Sequence, residues 1–142
     1  MQTQQGTPGN ATSPYAEATL TYLYRRSSSV QGYLHYGFEY ENLALGQSDR
    51  ALRTGITFNH SFNAKLTATL GLFYEHDNFS AVIGSPTSAY TEDTFNVTTG
   101  LSFAVTPKFS LQLNYTRTSL LSDQPALEYD RDLVSVGGSY LF

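Results

Sequence analysis

From Tyr15 to Phe142 the chain alternates apolar and polar residues with a period of two, in seven separate segments. Successive side chains of a strand point to opposite faces, so this alternation predicts strands with one apolar and one polar face. The segments fall at about 15–25, 30–41, 50–60, 65–76, 93–105, 108–118 and 131–142. In the fourth, Leu66, Ala68, Leu70, Leu72 and Tyr74 alternate with Lys65, Thr67, Thr69, Gly71 and Glu75. No segment carries a helical stripe. Strands of globular sheets are typically ~5–6 residues. These approach or exceed the ~9–11 residues that a tilted strand needs to cross a bilayer.

Composition narrows the classes further. Charged residues make up 14%, against about 25% in soluble domains. The chain has no Cys, which excludes disulfide scaffolds, Cys-type zinc sites, iron–sulfur clusters and thiol catalysis. Eight Lys and Arg against twelve Asp and Glu argue against a nucleic-acid partner. No run approaches the ~18 apolar residues of a membrane helix. Residues 1–14, MQTQQGTPGNATSP, lack the basic and apolar parts of a signal peptide and read as a polar loop or disordered segment.

The connections alternate in length. Residues 26–29, 61–64 and 106–107 are short, whereas 42–49, 77–92 and 119–130 are long and polar. Outer-membrane barrels have short periplasmic turns and long extracellular loops. The apolar faces carry aromatic residues near both ends: Tyr22, Phe58, Phe103, Phe109 and Tyr140 towards the short turns, and Tyr40, Tyr74, Phe95 and Tyr115 towards the long loops. Between them lie mainly aliphatic residues. Two aromatic girdles around an aliphatic band are what two membrane interfaces select. The polar face is nearly uncharged at mid-strand and rich in Gly and Thr, which suits a confined lumen. A weak repeat, Thr54-Gly55-Ile56-Thr57-Phe58 and Thr99-Gly100-Leu101-Ser102-Phe103, marks a hairpin unit of about 40 residues.

The chain ends Val136-Gly137-Gly138-Ser139-Tyr140-Leu141-Phe142. Gly137, Tyr140 and Phe142 resemble the C-terminal β-signal of bacterial outer-membrane proteins, although Val136 stands where a polar residue is usual. With Tyr129-Asp130-Arg131-Asp132-Leu133-Val134 before it, this end is similar to that of porins of the "β-barrel porin 2" type. The resemblance is good over residues 93–142 and one of style elsewhere. It implies an all-β, antiparallel up-and-down transmembrane barrel in a bacterial outer membrane. The partners it implies are outer-membrane lipid and the barrel-assembly machinery. Such barrels have an even number of strands, so seven leave at least one upstream strand to be supplied by the same protein.

Chemistry-bearing residues are few. Tyr33, His35, Glu39, Arg53, Glu75 and Arg131 are the candidates to line a lumen, with Glu41 near them at the long-loop rim. Opposite charges there form either a constriction that biases solute passage or an electrostatic plug. Lys65 and Lys108 follow short turns and read as rim charges. His35, His60 and His76 have no metal-ligand spacing, and His76-Asp77 point to opposite faces. No cofactor, metal or catalytic group is therefore expected. Five Asn-X-Ser/Thr sequons read as chance. The expected role is passive passage of small solutes or ions. The alternatives are a structural or adhesive barrel without conductance, and a soluble secreted β-sandwich or ligand-binding barrel.

Overall fold

In the computed structural model, residues 15–42, 47–79 and 89–142 are described, with backbone alone for 38–42 and 47–50. They form seven strands: β1 (Ala16–Arg25), β2 (Ser28–Asn42), β3 (Gln47–Ser61), β4 (Leu66–Phe79), β5 (Tyr90–Thr106), β6 (Phe109–Ser122) and β7 (Tyr129–Tyr140). Each pairs antiparallel with the next, in the order β1-β2-β3-β4-β5-β6-β7. This is the all-β up-and-down meander expected from the alternation. The sheet is open: β1 and β7 do not pair with each other. The expected segment 1–14, and residues 80–88 of the longest connection, lie outside the described residues.

The first short connection is tighter than the sequence implied, and the other two keep their expected lengths. Arg26 and Ser27 alone join β1 to β2, and Pro107 and Lys108 join β5 to β6. Side chains close two of these bends. Asn63 Oδ1 accepts from the Lys65 and Leu66 amides at 2.8 and 2.9 Å. Thr106 Oγ1 accepts from the Phe109 amide at 3.0 Å. Both are local side-chain-to-backbone bonds that compete well in turns.

Five of the seven strands, β2 to β6, are longer than expected, most of the gain being at the long-loop end. β4 runs to Phe79 rather than residue 76, and β5 begins at Tyr90 rather than residue 93. Polar residues on the apolar side of the alternation ended the expected strands, yet pairing continues through them. His76 sits opposite Asp93, and Asn78 opposite Thr91. β7 stops at Tyr140, so Leu141 and Phe142 lie beyond it. The Leu141 amide still donates to the Lys108 carbonyl at 2.8 Å.

Cross-strand pairing assigns every face. One face carries Leu20, Leu34, Ile56, Leu72, Val97, Leu113 and Val136. The other carries Gln31, Thr57, Gly71, Thr98 and Thr116. No second layer covers the apolar face: Ala51 is the single buried hydrophobic residue among those described, while Leu20, Val134 and Val136 are 77%, 64% and 77% exposed.

The rows climb across the sheet. Ser29 lies two residues past the first short turn, at Ser27; its row runs through Asn59, Thr69 and Gly100 to Asn114, six residues past Lys108. The row rises four residues over four strand intervals, so the sheet is sheared.

Candidate functional site

The polar face concentrates its chemistry near the long-loop end. One row runs Glu17–His35–Arg53–Glu75 across β1 to β4. Arg53 Nε donates to Glu75 Oε1 in a half-exposed ion pair. Four of the expected lining positions therefore lie on this face within two rows: Tyr33, His35, Arg53 and Glu75. Arg131 lies on the same face but three strands from Glu75, opposite Thr118. Glu39 and Glu41 have side chains outside the described residues, as does Tyr40.

The row adjoining it holds Thr19, Tyr33, Gly55, Phe73, Asn96, Thr118 and Arg131. The Phe73 ring lies flat on the sheet over two glycines. A Cβ added at Gly71 would sit 2.6 Å from Phe73 Cε2; one at Gly55 would sit 2.7 Å from Tyr33 Cε1. Both rings thus occupy space that any larger residue would fill, and their centroids are 6.1 Å apart. Tyr33 is used to cover Gly55 rather than to stand clear as a stacking platform. Phe73 escaped the sequence reading because it interrupts the polar side of β4. Its signal was the pair of glycines at Gly55 and Gly71, one beside it on the neighbouring strand and one two residues earlier.

Two further acids join this face beyond the row of Arg53. Asp77 pairs with both Ala51 and Glu92. Residues 77–92 read as loop from sequence, so these two carboxylates were missed. Among described polar-face residues the charges are then Glu17, Glu75, Asp77 and Glu92 against Arg53 and Arg131. Towards the short turns the same face is uncharged and carries Ser29, Asn59, Thr69, Gly100, Asn114 and Ser135. Thr69 Oγ1 donates to Asn59 Oδ1 at 2.9 Å, and Thr118 Oγ1 to Asn96 Oδ1 at 2.6 Å.

The apolar face carries the aromatic residues at the expected positions. Tyr22, Phe58, Phe103, Phe109 and Tyr140 lie towards the short turns, and Tyr74, Phe95 and Tyr115 towards the long loops. Tyr74 and Phe95 pack with centroids 4.9 Å apart. Above them the face turns polar. The hydroxyls of Tyr74 and Tyr115 donate to Asp93 and Asp132, each at 2.6 Å. His76 Nδ1 lies 2.7 Å from Asp93 Oδ1. This pair orients the imidazole, but no hydroxyl is hydrogen-bonded to His76 among the described residues. Asp77, its neighbour in sequence, points to the opposite face.

At the C-terminus Tyr140 and Phe142 meet edge to face at 5.3 Å. A Cβ added at Gly137 would meet nothing within 4 Å, so packing does not require glycine there.

No curated protein and no solved structure matches the chain. A family model does, over residues 9–139, and its description is "Putative beta-barrel porin 2". With nearly its whole length matched by that model and an open, sheared, antiparallel meander as its structure, the chain belongs to this beta-barrel porin family.

Proposed function

We propose that the chain supplies seven strands of an outer-membrane barrel whose polar face lines a passage for small solutes or ions. The observation that carries this is a single-layer sheet whose apolar face is covered by no other part of the chain among the described residues. In water a continuous apolar face of this extent is an association surface. In a bilayer it is the side that meets lipid.

The dimensions support the same reading. Four residues of climb is about 13 Å, and four strand spacings are about 19 Å. If the short turns share one membrane surface, the strands tilt by about 35°, within the range of such barrels. At that tilt the outward residues of β5 from Phe95 to Val105 span about 27 Å, close to the ~25 Å apolar band of outer-membrane barrels. The short turns then face the periplasm and the long loops the exterior. Further strands of the same protein close the sheet between β7 and β1, since open edges in lipid leave backbone groups unsatisfied. The exposed C-terminal signal of Gly137, Tyr140 and Phe142 is left for the barrel-assembly machinery to read.

Four acids against two bases on the described polar face favour cations. Planar-bilayer recording of the full protein tests this. Discrete steps with a cation-selective reversal potential in a KCl gradient are expected. Insertion without conductance would assign the structural role instead, with the Arg53–Glu75 pair and the rings of Tyr33 and Phe73 as part of a plug. Solubility without detergent would overturn the membrane reading.

A further inference from the structure

The eight bases and twelve acids are not mixed along the strand axis. Arg25, Arg26, Lys65 and Lys108 all lie in or beside the short turns. Every Asp and Glu lies in the long-loop half, from Glu17 at the far end of β1 to Asp132 in β7. The short-turn rim therefore carries four positive charges and no negative one. The other half holds four bases against twelve acids. Neither the alternation nor shear requires such a separation.

At this rim the first two short turns flank an open pocket of about 270 Å³. Arg25, Arg26, Ser27, Ser61, Phe62 and Asn63 line it. Its walls are set by bonds across the two turns. The Ser61 hydroxyl donates to the Ser27 carbonyl at 2.8 Å, and the Ser61 amide donates to Ser28 Oγ at 3.0 Å. The outer side is a ring stack: Tyr24 lies parallel to His60 at 6.0 Å with its hydroxyl 2.8 Å from Nδ1, and His60 meets Phe62 edge on at 4.7 Å. Phe62 both lines the cavity and ends the stack, and is 55% exposed. Amphipathic rings settle at the interface between hydrocarbon and headgroups. On the membrane reading they set the pocket at headgroup depth, with Arg25, Arg26 and a set of hydroxyl residues along its walls. Guanidinium pairs phosphate oxygens through two parallel N–H donors.

We propose that this cavity binds the phosphodiester headgroup of an anionic phospholipid in the leaflet that the short turns face. The site rests on the membrane reading given above and adds a lipid class and a location to it. The other short turn, with Lys108, has a single base beside the Tyr140–Phe142 ring pair, so it contributes field rather than a seat.

The test measures which lipid stays on the full protein. Wild type and the double variant Arg25→Gln/Arg26→Gln are extracted from vesicles of equal parts phosphatidylglycerol and phosphatidylcholine. Retained lipid is counted by native mass spectrometry. Wild type is expected to retain phosphatidylglycerol preferentially, and each lost base to reduce that preference roughly fivefold. Lys108→Gln, outside the cavity, is expected to lower it by less than either arginine. An unchanged preference in the double variant would overturn the site, as would displacement of the lipid by inorganic phosphate, which would make the occupant a free anion. Conductance of the double variant separates the two ideas. Channels like those of wild type with unchanged lipid preference would sink only the headgroup site. A wild type that fails to insert would overturn the membrane reading and the site with it.

Discussion

The two ends of the sheet solve the end of a strand differently. At the short-turn end each hairpin closes within a few residues, through Asn63 and Thr106, and the apolar face stays apolar almost to the last pair. At the long-loop end pairing runs on past the outward aromatic residues, with only Leu52 and Leu121 among polar outward positions. There the outward positions become His76, Asp93, Arg117 and Asp132. The backbone ladder is indifferent to this change, because strand pairing needs only a partner. The side chains are not: the hydroxyls of Tyr74 and Tyr115 reach up to the first carboxylates beyond the aromatic positions. The ladder and the apolar band are thus separate features, and on the membrane reading the band alone sets the lipid-facing height.

Substitutions can break that contrast. Leu72→Arg places a charge mid-band and is expected to destabilise the folded barrel by about 2–4 kcal/mol, whereas Leu121→Arg, opposite Asp93, is expected to change it by about 0–1. Urea midpoints in detergent or lipid check both, and equal costs would mean that no apolar band exists. Gly55→Val drives a side chain into Tyr33 and Phe73 and is expected to cost about 1–3 kcal/mol. Combining it with Phe73→Ala should recover part of the loss, and purely additive costs would show that the two sites do not touch. Asp93→Ala removes the acceptor shared by Tyr74 and His76. A loss of about 1 kcal/mol is expected from hydrogen bonds of this kind. The smallest stability effect belongs to Glu75→Gln, under about 1 kcal/mol for a half-exposed ion pair. Its signature lies instead in the reversal potential, which should move towards anion selectivity as Arg53 loses its partner.

Strand number, pairing order and the face of each residue were legible in the alternation, because one-residue slips would invert both faces of a strand. Strand ends were not, since His76 and Asp93 look like loop until their cross-strand pairing is seen. For the same reason Asp77 and Glu92 were hidden inside an expected loop. Phe73 was hidden by its own chemistry: an aromatic residue on a polar face contradicts the pattern, and only glycines on both sides give it room. The ring stack of Tyr24, His60 and Phe62 depends on the irregularity between Leu23 and Arg25. A bulge shifts the residues that follow it relative to their partners, and no residue type announces it here.

The odd strand count of the described residues also decides how this sheet can grow. β1 and β7 run in the same direction, so a second copy inserted the same way would offer either free edge only a parallel neighbour. The sheet is not self-complementary. Two such seven-stranded sheets cannot seal one another by antiparallel pairing, and on the membrane reading each edge stays open until strands of the opposite direction pair with it.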